Sequence, residues 1–319
     1  MTALPPWVDA ARTQALAALA AGRLGHALLI AGPAGIGKRA LADALAARVL
    51  CQQPVDDAPC GTCRSCRLRL AGTNPDLRVV TFELNKDATR LRTEIVIEQV
   101  RATSDWLTLT PQLGGAQVVI VDPADAINGA SANALLKTLE EPMPNRFLWL
   151  LASDPGRLPA TIRSRCQRLD LRLPARAEAM VWLGGEGLAP GMAADALDAA
   201  RGNPGLALQW ARSGALALRR EVEADLDALA GGRVLPSEVA QRWAGEDAVQ
   251  RVAFAADIVH ARAAGLTGPD ETRRLSAWFD QANRVRELLR SPVRANLVIT
   301  ELLLDWRERM QSTTRSSHA

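Results

Sequence analysis

The stretch with the clearest chemical pattern in this 319-residue chain begins at an apolar run, Ala27–Ala31. That run leads into Gly32-Pro33-Ala34-Gly35-Ile36-Gly37-Lys38 and then a helix-like segment. Glycines at 32, 35 and 37 let backbone N–H groups approach phosphate oxygens. Lys38 adds a cation, and the following helix turns its positive end toward the anion. A magnesium-nucleotide site needs Ser or Thr next, and the residue here is Arg39, which removes a metal ligand and adds bulk and charge. A glycine-rich strand-to-helix turn without a ligand is the plainer alternative.

A second candidate is Gln117–Asp125, QVVIVDPAD. Four apolar residues ending at Asp122 suit the acidic residue that helps hold Mg²⁺ at the tip of a P-loop sheet. A hydrolytic enzyme of that kind follows the Asp with a Glu that orients water. This chain has Pro123, with neither carboxylate nor N–H. Taken alone, Asp122 also fits an Asp capping a strand or turn.

Cys51, Cys60, Cys63 and Cys66 follow the spacing C-x8-C-x2-C-x2-C. Overlapping C-x-x-C pairs point to a tetrahedral Zn²⁺ with four thiolates and no open position, which makes the site structural. Arg64, Arg67 and Arg69 are placed to offset its negative charge. Unrelated buried cysteines or a redox pair are the alternatives. A fourth cluster, Leu158–Leu171, sets Arg163, Arg165 and Arg168 around Cys166. Such a basic cluster is ordinarily a solvated face, and Cys166 reads as a small packed residue.

These residues need a scaffold, and the hydrophobic pattern supplies one. Ala27–Ala31, Leu77–Phe82, Val118–Asp122, Phe147–Ser153 and Arg168–Leu173 read as buried strands. They alternate with helical patterns at Arg12–Ala21, Ala40–Leu50, Glu94–Leu107 and Ala132–Glu140, which predicts a parallel sheet covered on both faces. Near residue 172 the strand signal ends. Short helices are expected at Ala175–Leu183, Ala193–Ala200 and Leu206–Arg212, then longer amphipathic ones from about Leu216 onward, for example Glu221–Ala230, Glu246–Ala264 and Asn296–Met310. The tail Gln311–Ala319 is small and polar and is expected to fray. Three parts follow: 1-172 with the cysteine module at about 51-75, 173-212, and 213-319.

Composition narrows the function classes. The chain is 48% hydrophobic and 23% charged, so a core is feasible and global disorder is not expected. A net charge of +3 and 4% aromatic residues give little support to a large autonomous nucleic-acid surface. No apolar run approaches the ~20 residues of a membrane span. The N-terminus lacks a signal-peptide pattern. A cytoplasmic location is expected, with the cysteines as thiols or metal ligands.

In order along the chain, the P-loop, the four-cysteine insertion, Asn133–Pro142 (NALLKTLEEP), Leu150–Cys166 (LLASDPGRLPATIRSRC) and Gly202–Leu208 (GNPGLAL) resemble the AAA+ subunits of the bacterial DNA polymerase III clamp loader. The C-terminal RVRELLRSPVRANLVITELLLDW is similar to that family's collar domain. The resemblance implies a P-loop AAA+ domain, a three-helix lid, a helical collar and a structural zinc. It also implies gamma/tau and delta subunits as partners, with the sliding clamp and primer-template DNA met through the complex. The departures are specific. Hydrolysing subunits carry Lys-Ser/Thr, Asp-Glu and a lid arginine, and this chain has Lys38-Arg39, Asp122-Pro123 and Gly205. Ser164-Arg165-Cys166 is intact. The combination is similar to a non-hydrolysing ring member, which implies that Arg165 reaches a neighbour's ATP as a trans arginine finger. Gly32, Gly35, Gly37, Lys38 and Asp122 then form a degenerate version of the cis nucleotide site, and ATP is contacted in trans. An ATP-hydrolysing clamp-loader subunit and a zinc-dependent nucleic-acid-binding protein on a P-loop fold stay open as alternatives.

Overall fold

The computed structural model describes residues 3–85, 87, 90–265, 268–291 and 293–316. The chain divides into two compact units, Met1–Leu208 and Gln209–Ala319. The first unit begins with α1 (Pro6–Ala20), β1 (Ala27–Ala31), α2 (Lys38–Val49), α3 (Arg64–Leu70) and β2 (Leu77–Val80). It continues through α4 (Ile97–Thr108), β3 (Gln117–Val121), α5 (Gly129–Glu140), β4 (Arg146–Ala152), α6 (Ala160–Arg163) and β5 (Gln167–Asp170). Then come α7 (Arg176–Gly185), α8 (Pro190–Ala199) and α9 (Pro204–Ser213), within which the division falls.

The strands pair in the order β2-β3-β4-β1-β5, every pair parallel. Ala27 lies beside Leu148, Leu28 beside Gln167 and Gln117 beside Arg146. Residues alternate between faces with period 2. Leu29, Val119, Val121, Leu148 and Leu150 join a buried cluster with Val100, Leu135 and Leu139 from α4 and α5. Leu28, Ile30, Val118, Ile120, Trp149 and Leu151 join another with Leu16, Leu41 and Leu45 from α1 and α2. Burial on both faces explains why β1, β3 and β4 read as continuous apolar runs.

The two edge strands depart from expectation. The buried strand expected at Arg168–Leu173 is Gln167–Asp170, paired on one side and mostly exposed. The strand expected at Leu77–Phe82 ends at Val80 and is half-buried along most of its length. Helix α1 starts six residues before the expected Arg12, because Pro6 at its first position has a backbone suited to a helix start.

The second unit holds α10 (Ala215–Ala230), α11 (Pro236–Trp243), α12 (Ala248–Ala264), α13 (Pro269–Leu288) and α14 (Ala295–Ser316). Trp243, Trp278 and Trp306 are fully buried there. Each indole N–H has a partner: Asp225 Oδ2 at 2.8 Å, Leu302 O at 3.1 Å and Leu226 O at 2.9 Å. Satisfied donors let these large side chains form a core without stranded polar atoms. The tail expected to fray from Gln311 stays helical to Ser316, and 317–319 lie outside the described residues. Among the described residues no helix is long and apolar enough to cross a membrane.

Candidate nucleotide-loop and arginine-motif site

The carboxyl ends of β1, β3 and β4 bring Gly32, Asp122 and Ser153 to one edge of the sheet, where ligands of such folds bind. Gly37 caps α2 with φ 110°, a left-handed conformation that favours glycine. A side chain there would also meet Val8 at 2.7 Å. Trp7 Nε1 donates to Ile36 O at 2.8 Å, so α1 packs against the loop.

Lys38 is buried, and its ammonium is consumed locally. Nζ donates to Gly32 O at 2.6 Å, Pro33 O at 2.9 Å and Ser153 Oγ at 2.9 Å. An ammonium has three donors, so none is left for a phosphate in this arrangement. Burial lowers the Lys38 pKa, while the charges of Asp125 and Asp122 oppose the shift.

Arg39 is engaged by two carboxylates. Its Nε donates to both carboxylate oxygens of Asp43, at 3.0 and 3.1 Å. Its Nη1 lies 3.7 Å from Asp122 Oδ2. Burial raises the Asp122 pKa, and the nearby Arg39 and Lys38 charges pull it back. A guanidinium therefore supplies the counter-charge beside Asp122. Asp125, not singled out from the sequence, organises the same edge: its Oδ2 accepts from the backbone N–H groups of Ser153 at 3.0 Å and Asp154 at 2.8 Å. Its only sequence signal was a second acid three residues after Asp122.

The segment after α8 seats directly on the loop. Buried Asn203 donates from Nδ2 to Ala34 O at 2.7 Å and accepts from Leu206 N at 3.1 Å. A Cβ on Gly205 would stand 2.0 Å from Gly35 O. No side chain fits there without displacing backbone, so the residue that stands where a lid arginine is expected is also a packing requirement. Gly205→Ala should lower stability by about 1–3 kcal/mol through overpacking. Urea unfolding would register this as a lower midpoint; an unchanged midpoint would mean the contact is not made in solution.

Arg165 lies just past the short α6. Its Nη1 donates to Thr161 O at 3.0 Å, and its Nη2 lies 2.6 Å from Glu140 Oε1. The two side chains are 37% and 50% exposed. The carboxylates nearest to Arg165 in the sequence are Asp154 and Asp170. The actual partner comes from the end of α5, and Asp170 instead pairs with Arg168 at 2.7 Å. Cys166 is half-buried against the sheet core, and burial pushes its thiol up to about 11.

The four remaining cysteines converge, with all Sγ atoms within 4.8 Å of one another. Cys51 Sγ lies 3.5 Å from Cys60 Sγ and 4.0 Å from Cys63 Sγ. Four sulfurs at ~2.3 Å from one tetrahedral metal would stand about 3.8 Å apart. Backbone N–H groups of Cys60, Cys63 and Cys66 donate to Cys51, Cys60 and Cys63 sulfurs at 3.3, 3.3 and 3.4 Å. Hydrogen bonds led by the Cys63 N–H bring the Cys60 thiol down to about 6. At Cys63 burial acts upward, yet N–H bonds from Cys66 and Gln52 leave the pKa lowered. Burial pushes Cys66 up to about 12. The all-sulfur donor set fits a metal ion that prefers thiolate.

A parallel sheet in the order 2-3-4-1-5, a Gly-Lys loop after its first strand and helices over both faces define a P-loop domain of the AAA+ type. Within that class, residues 9–175, just over half of the chain, match the family described as DNA polymerase III, delta subunit, and the chain belongs to that family, among its delta-prime members. The delta' subunit of Pseudomonas aeruginosa is 46% identical over 158 residues, 50% of this chain and 46% of the relative. The Escherichia coli delta' subunit is 41% identical over 207 residues, 64% of this chain and 59% of the relative. The Escherichia coli tau subunit is 38% identical over 155 residues, 48% of this chain and 23% of that protein. The chain thus spans about half the length of the curated relatives it matches.

Proposed function

We propose that this chain is a non-hydrolysing subunit of the DNA polymerase III clamp loader, helping to place the sliding clamp on primed DNA. In this reading its P-loop performs no ATP chemistry of its own. Arg165 enters the ATP site of a neighbouring gamma/tau subunit and stabilises charge on the γ-phosphate there. Delta is a further partner, and clamp and primer-template DNA are met through the complex, in the cytoplasm. Residues 173-212 act as the lid and 213-319 as the collar that holds the ring. Cys51, Cys60, Cys63 and Cys66 hold one Zn²⁺, which shapes the 51-75 module and takes no part in chemistry.

The observation that carries this reading is Lys38, whose three donors are all engaged by Gly32, Pro33 and Ser153. Arg39 beside Asp122 and the seating of Asn203 on Ala34 support it from two further elements. The same contacts disfavour an ATP-hydrolysing subunit.

The test is reconstitution with and without this chain. Omission should abolish clamp loading onto primed DNA and depress the loader's DNA-stimulated ATPase. Undiminished loading without the chain would refute the reading. Tight, steeply salt-dependent binding of primed DNA by the isolated chain would favour a nucleic-acid-binding role instead.

A further inference from the structure

We propose that Glu140 is the positioning residue for Arg165, orienting its guanidinium toward the neighbouring subunit's γ-phosphate; this rests on the arginine-finger reading above. Glu140 is the last residue of α5, and Lys137 is the basic residue of that last turn. A carboxylate at the negative end of a helix is electrostatically misplaced. A residue that breaks a local rule invites a search for what it does elsewhere. Here its Oε1 lies 2.6 Å from Arg165 Nη2.

The geometry suits orientation better than sequestration. Arg165 is held from two elements: α5 through Glu140, and α6 through Thr161 O, which accepts from Nη1 at 3.0 Å. A guanidinium carries five N–H donors. One hydrogen on Nη1 is donated to Thr161 O and the Glu140 carboxylate sits against Nη2 as an ion pair, which leaves Nε–H and further hydrogens on the terminal nitrogens to meet phosphate oxygens. The planar fork keeps these donors in fixed relation to the two nitrogens that are held. Both side chains are also well exposed, at 37% and 50%. Such a pair is weak and easily screened, so it narrows the rotamers of a long side chain without locking it away. For the same reason the pair contributes little to folding, and its loss should be read in turnover.

A double-mutant cycle in the assembled loader tests the proposal. ATP turnover is measured for wild type, Glu140→Ala, Glu140→Gln, Arg165→Ala and the double alanine variant. Glu140→Ala should lower kcat about 3- to 10-fold with KM for ATP little changed, since misaiming a catalytic group costs rate. Glu140→Gln keeps an acceptor oxygen at the same place and should recover most of that loss. The double variant should match Arg165→Ala alone, because a residue acting only through Arg165 has nothing left to position. An equal Glu140→Ala penalty in both backgrounds would overturn the proposal. So would wild-type turnover in Glu140→Ala beside an impaired Arg165→Ala, a result that leaves the finger reading standing. Wild-type turnover in Arg165→Ala would overturn both.

Discussion

Arg165→Ala should lower the ATPase and clamp-loading rates of the assembled loader by about tenfold or more, with folding and metal content of this chain intact. A trans arginine that stabilises transferring phosphoryl charge is worth ~10³ or above in kcat. A tenfold loss is therefore a lower bound for an arginine of this kind. Little stability should go with it. The ion pair to Glu140 is exposed, and pairs of that sort contribute about 0–1 kcal/mol. Arg165→Lys should rescue poorly, because an ammonium keeps the charge and loses the planar fork. Arg168→Ala is the control. Its guanidinium pairs with Asp170 on edge strand β5, and its removal should change turnover much less. Normal hydrolysis by Arg165→Ala complexes would sink the assignment, and so would a variant chain that simply unfolds.

The second large effect concerns the cysteine cluster. Freshly purified protein should carry one zinc per chain, and Cys63→Ser should carry none. The substitution is chosen for what it keeps. Cys63 caps α3, its sulfur accepting from Cys66 N at 3.4 Å, and serine is a favourable residue at that position. A serine hydroxyl preserves the cap and removes a thiolate ligand, so any loosening reports the metal. Structural zinc contributes an apparent ~10–16 kcal/mol in small modules. Hydrogen exchange in α3 and the loop from Cys51 to Cys60 should therefore rise by orders of magnitude. The strands β1, β3 and β4 should keep their protection, since their clusters contain no ligand cysteine. Zinc retention should also weaken as pH falls, because protons compete for the thiolates. Absence of stoichiometric metal, or five freely reactive thiols, would contradict the assignment.

Much of the fold was legible because a doubly covered parallel sheet leaves uninterrupted apolar runs. Ala27–Ala31, Gln117–Val121 and Arg146–Ala152 all have this character in most of their residues. Edge strand β5 lacks it: it pairs on one side with β1, and its exposed Gln167, Arg168 and Asp170 carry no apolar pattern. Helix α13 carries a weak apolar signal for a related reason. Its buried face is the sparse series Leu275, Trp278, Ala282 and Val285 set among charged residues. At the site, the loop and the cysteines were readable because their chemistry is encoded by local spacing. Glu140 and Asn203 act across 25 and 169 residues of chain, and only folding reveals such partners. Gly205 was visible as a departure, but its approach to the Gly35 carbonyl was not.

The central claim is that an ATPase fold here performs no ATP chemistry in its own loop. Mg-dependent ATP turnover by the purified chain, with Lys38→Ala and Arg39→Ser measured beside it, tests that claim most directly. All three proteins should stay at background: Lys38 is already engaged, and a serine at 39 leaves Pro123 where a water-orienting glutamate is required. Turnover at a rate usual for clamp-loader ATPases, lost on Lys38→Ala, would contradict the account.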